Sequence, residues 1–345
     1  MLDICILGTR GERYTRIAKY LREKNGDKVT IFPTKPGLLP LFGSSHAIYH
    51  TALFVSPAAM LWLNKKLRGK KYTLTLQGLV WNEAEDYAKG KFFYGLRVWF
   101  YKFFAKQALE NAETVVTVSD WVAHELKKFS PRAAKKTVTI YHAIDAQRFA
   151  NAHPAVIDGV GKRDDVLLFV THFNYAKKAR AAKIVIDSME HVLKKRGNAK
   201  LVVVCDKKGA YYPEVEKFAG LKPYADSVIF TDKREDIPEV LAGADVFVYA
   251  SYLDGMPRAP LEAMAAGLPV VAVDACSLSE EVTNNHNGFL VPADARKFAE
   301  AALKLLLDKK LAGRMGAVGK RFVRKEFSFE KMSKSYGQVW NRILE

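Results

Sequence analysis

The feature that most constrains this chain is an alternation of short apolar runs, rich in β-branched residues, with longer amphipathic segments. Apolar runs at 2–7, 28–32, 47–49, 72–76, 114–118 and 137–140 are interleaved with helical patterns at 13–24, 57–67 and 92–111. A second series runs through 166–170, 201–205, 228–230, 246–249 and 269–273, with helical stretches at 183–194, 215–219 and 261–266. When a helix must be crossed before each new strand, the strands lie parallel and helices cover both faces of the sheet. The stretch 145–165, with Pro154 and two glycines, reads as a linker. The expected class is α/β, with Rossmann-like domains over 1–150 and 155–327. Ligands are expected at the carboxyl ends of the strands and in a deep interdomain cleft. In the tail 328–345, Phe329, Met332, Tyr336, Val339, Trp340 and Ile343 share one helical face. That face either caps its own domain or crosses back to the first.

Composition removes several classes. A chain of 345 residues has room for two domains at roughly 150 residues each. With 49% hydrophobic and 26% charged residues it has the makings of a full core, not of a disordered or low-complexity chain. Cys5, Cys205 and Cys276 are too few and too scattered for a disulfide framework or a metal cluster, so no metal is expected. The opening MLDICILGTRGERY reads as strand and turn rather than as a secretory leader, and no run is long and uncharged enough to span a bilayer. A cytoplasmic setting is expected.

Charge is distributed unevenly. Of the formal net charge of +17, residues 1–150 carry +12, from 24 basic and 12 acidic side chains. Such an excess suits nucleic acid, an anionic membrane surface or an anionic substrate. Within this half, the run KGKFFYGLRVWFYKFFAK at 89–106 interleaves aromatics with Lys and Arg. It reads either as a helix buried between sheet and neighbour, or as an interfacial element that rests on anionic lipid. Aromatic–basic mixtures also suit single-stranded nucleic acid, but no nucleic-acid-binding motif accompanies this one.

The densest motif is ADVFVYASYLDGMPRAPLEAMAAGLPVVAVD at 245–273, which reads as strand, loop, helix, turn and strand. Asp254 lies in the loop and Glu262 eight residues later in the helix. Gly255 permits close backbone approach, Pro257 and Pro260 stiffen the entry to the helix, and N–H groups at a helix start suit phosphate or hydroxyl oxygens. A carboxylate just inside such a helix can accept from two vicinal hydroxyls, as on a ribose.

This segment resembles the signature of the retaining family 4 glycosyltransferases of the GT-B fold, in which two acids eight apart precede a run similar to EAMAxGxPVV. Further stretches share the likeness: Glu280 with the run from Asn287 to Val291, Val118-Ser119, the stretch from Ile140 to Asp145, and Phe327-Ser328-Phe329, which is similar to the start of a helix crossing back to the first domain. The resemblance implies a metal-independent transfer of a sugar, with retention, from a UDP- or GDP-linked donor to a glycan, a lipid-linked or another anionic acceptor. It implies no cofactor beyond that donor. It places Asp254, with Gly255, Met256 and Pro257, at the donor sugar, and Glu262 on the ribose. Lys177 or Lys178, with His172, would meet the diphosphate, and Gly8 and Gly11 would underlie the phosphates and sugar. Gln77, Ser119 and His142 fall in the sugar or acceptor pocket.

Departures accompany the likeness. The first acid is Asp rather than Glu, Cys276-Ser277 replace a Gly-Gly pair, and His142-Ala143 replace Asn-Gly. Gln77 stands where a His is common and cannot take a proton at neutral pH; His50 is either a substitute for it or, as a lone histidine after a strand more often is, a structural residue. Where an Arg is usual after the strand at 166–170 there is His172, and Arg258 is the candidate replacement. Two other readings follow from the charge and the departures: a nucleic-acid-binding protein or a transferase acting on modified DNA, and a GT-B protein that binds without turnover.

Overall fold

The computed structural model describes residues 2–7, 12–32, 46–52, 55–82 and 92–345. They form two units, Met1–Ala143 with Phe329–Glu345, and Ile144–Ser328. Gly8 and Gly11 lie outside the described residues.

In the first unit, strands β1 (Asp3–Leu7), β2 (Lys28–Phe32), β3 (Ile48–Ala52), β4 (Lys71–Leu76), β5 (Thr114–Thr117) and β6 (Thr137–Thr139) form one sheet in the order β2-β1-β3-β4-β5-β6. Every neighbouring pair is parallel. All five residues of β3 are buried, as befits a strand covered on both faces. Ile4, Ile6, Ile17, Leu21 and Ile48 pack with Met332, Tyr336, Val339 and Trp340 of the helix Phe329–Leu344. That helix is pinned by polar contacts too. Trp340 Nε1 donates to Thr73 Oγ1 at 3.0 Å, and the Tyr336 and Thr75 hydroxyls lie 2.7 Å apart.

His50 belongs to this core. It is fully buried, with Nδ1 2.8 Å from Thr73 Oγ1 and Nε2 within 3.3 Å of both Thr75 Oγ1 and Tyr14 OH. Its ring meets Tyr336 and Trp340 edge-on. Of the two readings of His50, the structural one fits: both ring nitrogens are bonded inside a core.

The aromatic–basic segment forms the helix Tyr94–Asn111, of which Ala105, Ala108 and Leu109 are buried. The Tyr72 hydroxyl donates to Ala108 O at 2.7 Å, and the Trp62 and Phe104 rings meet at 6.1 Å. Phe93 enters this helix at φ +58°, a left-handed conformation that an L side chain adopts at roughly 1–2 kcal/mol. The helix is therefore not the buried element that was one of the two expectations; its first half is largely exposed.

The second unit holds β7 (Asp165–Val170), β8 (Ala199–Val204), β9 (Val228–Thr231), β10 (Val246–Tyr249), β11 (Val270–Val273) and β12 (Gly288–Val291), ordered β12-β11-β10-β7-β8-β9 and all parallel. The strand order reverses between β7 and β10, and such a reversal opens a crevice at the carboxyl ends of the two strands. The helix Ala176–Leu193 follows β7 and the helix Arg258–Ala266 follows β10. Gly267 ends the latter in the left-handed region at φ +92°, where glycine alone pays no steric penalty. Gly288 is fixed by space instead, because a Cβ there would sit 2.2 Å from Val270 O.

Candidate functional site

The crevice between β7 and β10 is built around a buried lysine. Lys178, in the first turn of the helix Ala176–Leu193, is 3% exposed. Its Nζ donates to Asp254 Oδ2 at 2.7 Å and to the Tyr249 hydroxyl at 3.3 Å. The Tyr249 hydroxyl in turn donates to the same carboxylate oxygen at 2.6 Å, closing a triangle. Tyr249 ends β10, Asp254 lies in the loop that follows it and Lys178 on the helix that follows β7, so the three groups come from both sides of the strand reversal.

Electrostatics follow from this packing. Burial opposes ionisation of Asp254, but the Lys178 ammonium and hydrogen bonds from Lys178, Tyr249 and Ser251 outweigh it and hold the carboxyl below its ordinary value. Burial, with the Asp254 charge and hydrogen bond behind it, lifts Tyr249 well above the usual phenol range. The site therefore presents a fixed aspartate, a neutral tyrosine and a lysine committed to both. Burial first, and then the Lys178 ammonium, depress His172 below the usual imidazole value, so at neutral pH it offers a hydrogen bond and no charge.

The two candidate lysines are thus distinguished. Lys177 is exposed while Lys178 is locked in the wall of the crevice. The position of Lys178 was readable from periodicity: Lys178, Ala182, Val185, Ile186 and Met189 fall on one buried helical face.

Glu262 lies one turn into the helix Arg258–Ala266, with Oε1 3.3 Å from an Nη of Arg258. Burial raises its carboxyl above the ordinary value, with Arg258 and Arg148 pulling the other way. Arg258 therefore stands beside the second acid, paired to it. Gly255, Met256 and Pro257 are buried, and Pro257 directly precedes the helix, whose first N–H groups receive no side-chain cap from it.

Beside His172 opens a cavity of about 360 Å³, at the carboxyl ends of β7 and β8. Thr171, His172 and Asn174 line it from one strand end, Cys205 and Asp206 from the next, and Lys233 and Arg234 from the loop after β9. Thr171 Oγ1 and His172 Nδ1 are buried with no hydrogen-bond partner among the described residues. Unsatisfied buried polar groups lining a cavity call for a ligand or for water. Sequence reasoning missed Lys233 and Arg234; the available signal was their place in a TDKRED loop directly after a strand. The Arg234 guanidinium is held by both oxygens of Asp236.

The signature's later part has a structural explanation. Asn287 Oδ1 accepts from Thr283 N at 2.7 Å and its Nδ2 donates to Glu281 O at 3.0 Å, fixing the turn that Gly288 leaves. Cys276, in place of a glycine, has φ +54° and its thiol lies 3.8 Å from Ser251 O. Burial pushes that thiol up to about 12, so it is not a ready nucleophile.

The remaining candidates lie in the first unit. Ser119 is fully buried and accepts from Val122 N at 3.2 Å as the cap of the helix Asp120–Phe129. His142 is buried as well, whereas Gln77 is exposed directly after β4. Among the described residues no group of three or more His, Cys, Asp or Glu is placed to hold a metal ion.

Residues 164–308 match the family Glycosyl transferases group 1. The match covers the second unit's sheet and the crevice just described. The chain is 27% identical over 215 residues to the lipopolysaccharide core biosynthesis mannosyltransferase LpsB of Rhizobium meliloti (strain 1021), an overlap of 59% of this chain and 60% of that one. It spans about three fifths of the length of the first curated relatives it matches. Among solved structures, a glycosyltransferase from Rickettsia africae ESF-5 superposes with a TM-score of 0.76 at 17% identity, covering 100% of this chain and 99% of that one. Anabaena HepE in complex with UDP gives 0.74 at 17% identity, covering 99% and 100%. The fold is GT-B, with two parallel six-stranded sheets.

Proposed function

We propose that this chain is a retaining, family 4 glycosyltransferase that moves a sugar from a UDP- or GDP-linked donor to a glycan or lipid-linked acceptor without a metal ion. The observation that carries the reading is the buried Lys178–Asp254–Tyr249 triangle at the strand reversal, one loop ahead of the helix that presents Glu262. Glu262 accepts from the ribose hydroxyls. Asp254, held ionised and immobile by its partners, accepts from the donor sugar together with the backbone of Gly255, Met256 and Pro257. Lys177 and the start of the helix Arg258–Ala266 meet the diphosphate. The cavity lined by Asp206 and Lys233 takes the base. The UDP complex of HepE and the mannosyltransferase activity in LpsB's name support this class of donor.

In the reaction the bond from the anomeric carbon to the diphosphate oxygen breaks, and a bond from the same face to the acceptor oxygen forms. Fixed positive charge and helix N–H groups stabilise the negative charge that develops on the leaving diphosphate. The acceptor hydroxyl's proton passes to the departing phosphate oxygen.

The test is a thermal-shift panel of nucleoside diphosphates and nucleotide sugars, followed by transfer with the best donor. Binding to the folded state raises the melting temperature by mass action. The expected result is stabilisation by one base family, transfer that persists in chelator, and a product of unchanged anomeric configuration by NMR. A panel with no stabilising nucleotide, or an inverted product, overturns the reading.

A further inference from the structure

The helix Tyr94–Asn111 has two apolar faces, and the first unit uses one. Ala105, Ala108 and Leu109 pack inward. Leu96, Trp99, Phe100 and Phe103 recur at spacings that set them together on the opposite side of the helix, and Phe92 and Phe93 stand at its entrance. Exposure decides the matter: 82% for Phe92, 52% for Leu96, 56% for Trp99 and 45% for Phe100. The rings form a continuous surface, with Trp99 stacked on Phe103 at 5.3 Å and edge-on to Phe100 at 5.0 Å.

We propose that this outward face docks the protein on an anionic lipid bilayer, the helix lying in the plane of the surface. Arg97 flanks the aromatic stripe on one side and Lys106 on the other, both exposed; no Asp or Glu occurs from 94 to 109. Aromatic rings settle at the boundary of headgroup and acyl chain, while lysine and arginine stems lie along the apolar surface and deliver their charge to lipid phosphates. The +12 of residues 1–150 has the sign an anionic leaflet attracts. No helix among the described residues is long and apolar enough to cross a membrane, and this geometry asks for none to do so. The docking face is independent of the transfer reading, since no residue of the crevice takes part.

The experiment is co-sedimentation of the full chain with vesicles of phosphatidylcholine alone, or with one third phosphatidylglycerol, at low salt and at roughly 0.5 M salt, where screening shortens the field. Binding to the anionic vesicles should exceed binding to the neutral ones by about tenfold at low salt and largely disappear at high salt. Trp99→Asp with Phe103→Asp should abolish it while leaving the melting temperature unchanged; the milder pair Trp99→Gln with Phe103→Gln serves if the first misfolds. Brominated lipid should quench emission in the wild type and quench less in Trp99→Phe. Equal binding to both vesicle types, undiminished binding in the charged and the neutral pair, or a self-association that the same pairs abolish without any vesicle binding overturns the proposal. No nucleotide is present, so this result and that of the donor panel stand separately.

Discussion

Lys178 and Asp254, separated by 76 positions in the chain, hold each other at 2.7 Å across the strand reversal of the second sheet. The lysine is almost wholly buried and the carboxylate is partly open, so the pair is at once a structural tie and one wall of the crevice.

Removing one partner of a buried ion pair leaves the other charge stranded. Lys178→Ala should therefore lower unfolding free energy by about 3–5 kcal/mol, and Lys178→Met combined with Asp254→Leu should recover much of that loss. Urea denaturation of the single and double variants measures both. A single variant as stable as the wild type would show that the tie contributes little.

Lys177 should behave oppositely. It is exposed, so Lys177→Ala should leave stability within about 0.5 kcal/mol of wild type. On the proposed function it should weaken a nucleoside diphosphate by roughly 1.5–3 kcal/mol and leave the nucleoside unaffected. Calorimetry with both ligands decides; equal losses would place this lysine away from the phosphates.

For Glu262 the ligand dependence reverses. Glu262→Ala should weaken nucleoside and nucleoside diphosphate alike, by roughly 1.5–3 kcal/mol, because the ribose is common to both. Unchanged affinity in a folded variant would remove the ribose assignment.

Glu281 supplies a pH dependence. It is fully buried, neither carboxylate oxygen has a hydrogen-bond partner among the described residues, and burial, with Asp254 and Glu280 nearby, raises its carboxyl well above the ordinary value. The folded state thus keeps a proton that the unfolded chain releases above about pH 4.5. Its contribution to stability is complete below that pH and is lost as pH rises toward the folded value. Glu281→Val, which removes the titrating group, should gain on the wild type by at most about 1.4 kcal/mol per pH unit over that window. Parallel denaturation curves from pH 4 to 8 test this; a constant difference would mean that Glu281 does not titrate as argued.

Cys276 inverts a familiar preference. At φ +54° glycine is free of the penalty any L side chain incurs, so Cys276→Gly should be more stable than Cys276→Ala by roughly 1 kcal/mol. In a helix interior the order is the reverse, and thermal denaturation of the two variants distinguishes them.

Much of this was legible in the sequence. The pattern at 245–273 became β10, the helix Arg258–Ala266 and β11 because short continuous apolar runs mark strands covered on both faces, and apolar spacing of period 3.6 marks the helix between them. The choice between Lys177 and Lys178 was legible in the apolar periodicity of their helix, but a lysine on a buried face is read as an error until its carboxylate is found, and Asp254 is remote in sequence. The aromatic helix resisted for another reason. Both of its faces are apolar, and small Ala105 and Ala108 admit close packing where Trp99 and Phe103 do not, a distinction of volume that hydropathy ignores. The role of Lys233 and Arg234 depends on which strand lies beside which, and adjacency in a parallel sheet is not written in any local pattern.

The helix Phe329–Leu344 has a consequence for how the chain comes to be folded. Trp340 donates to Thr73 across 267 positions, and its ring, with that of Tyr336, closes the floor on which His50 rests. The first unit is therefore begun by segments made before the second unit and finished by one made after it. Until the whole second unit has been made, β3 and β4 lack their final cover, and the apolar ground beneath His50 must wait, open, for a helix that is not yet synthesised.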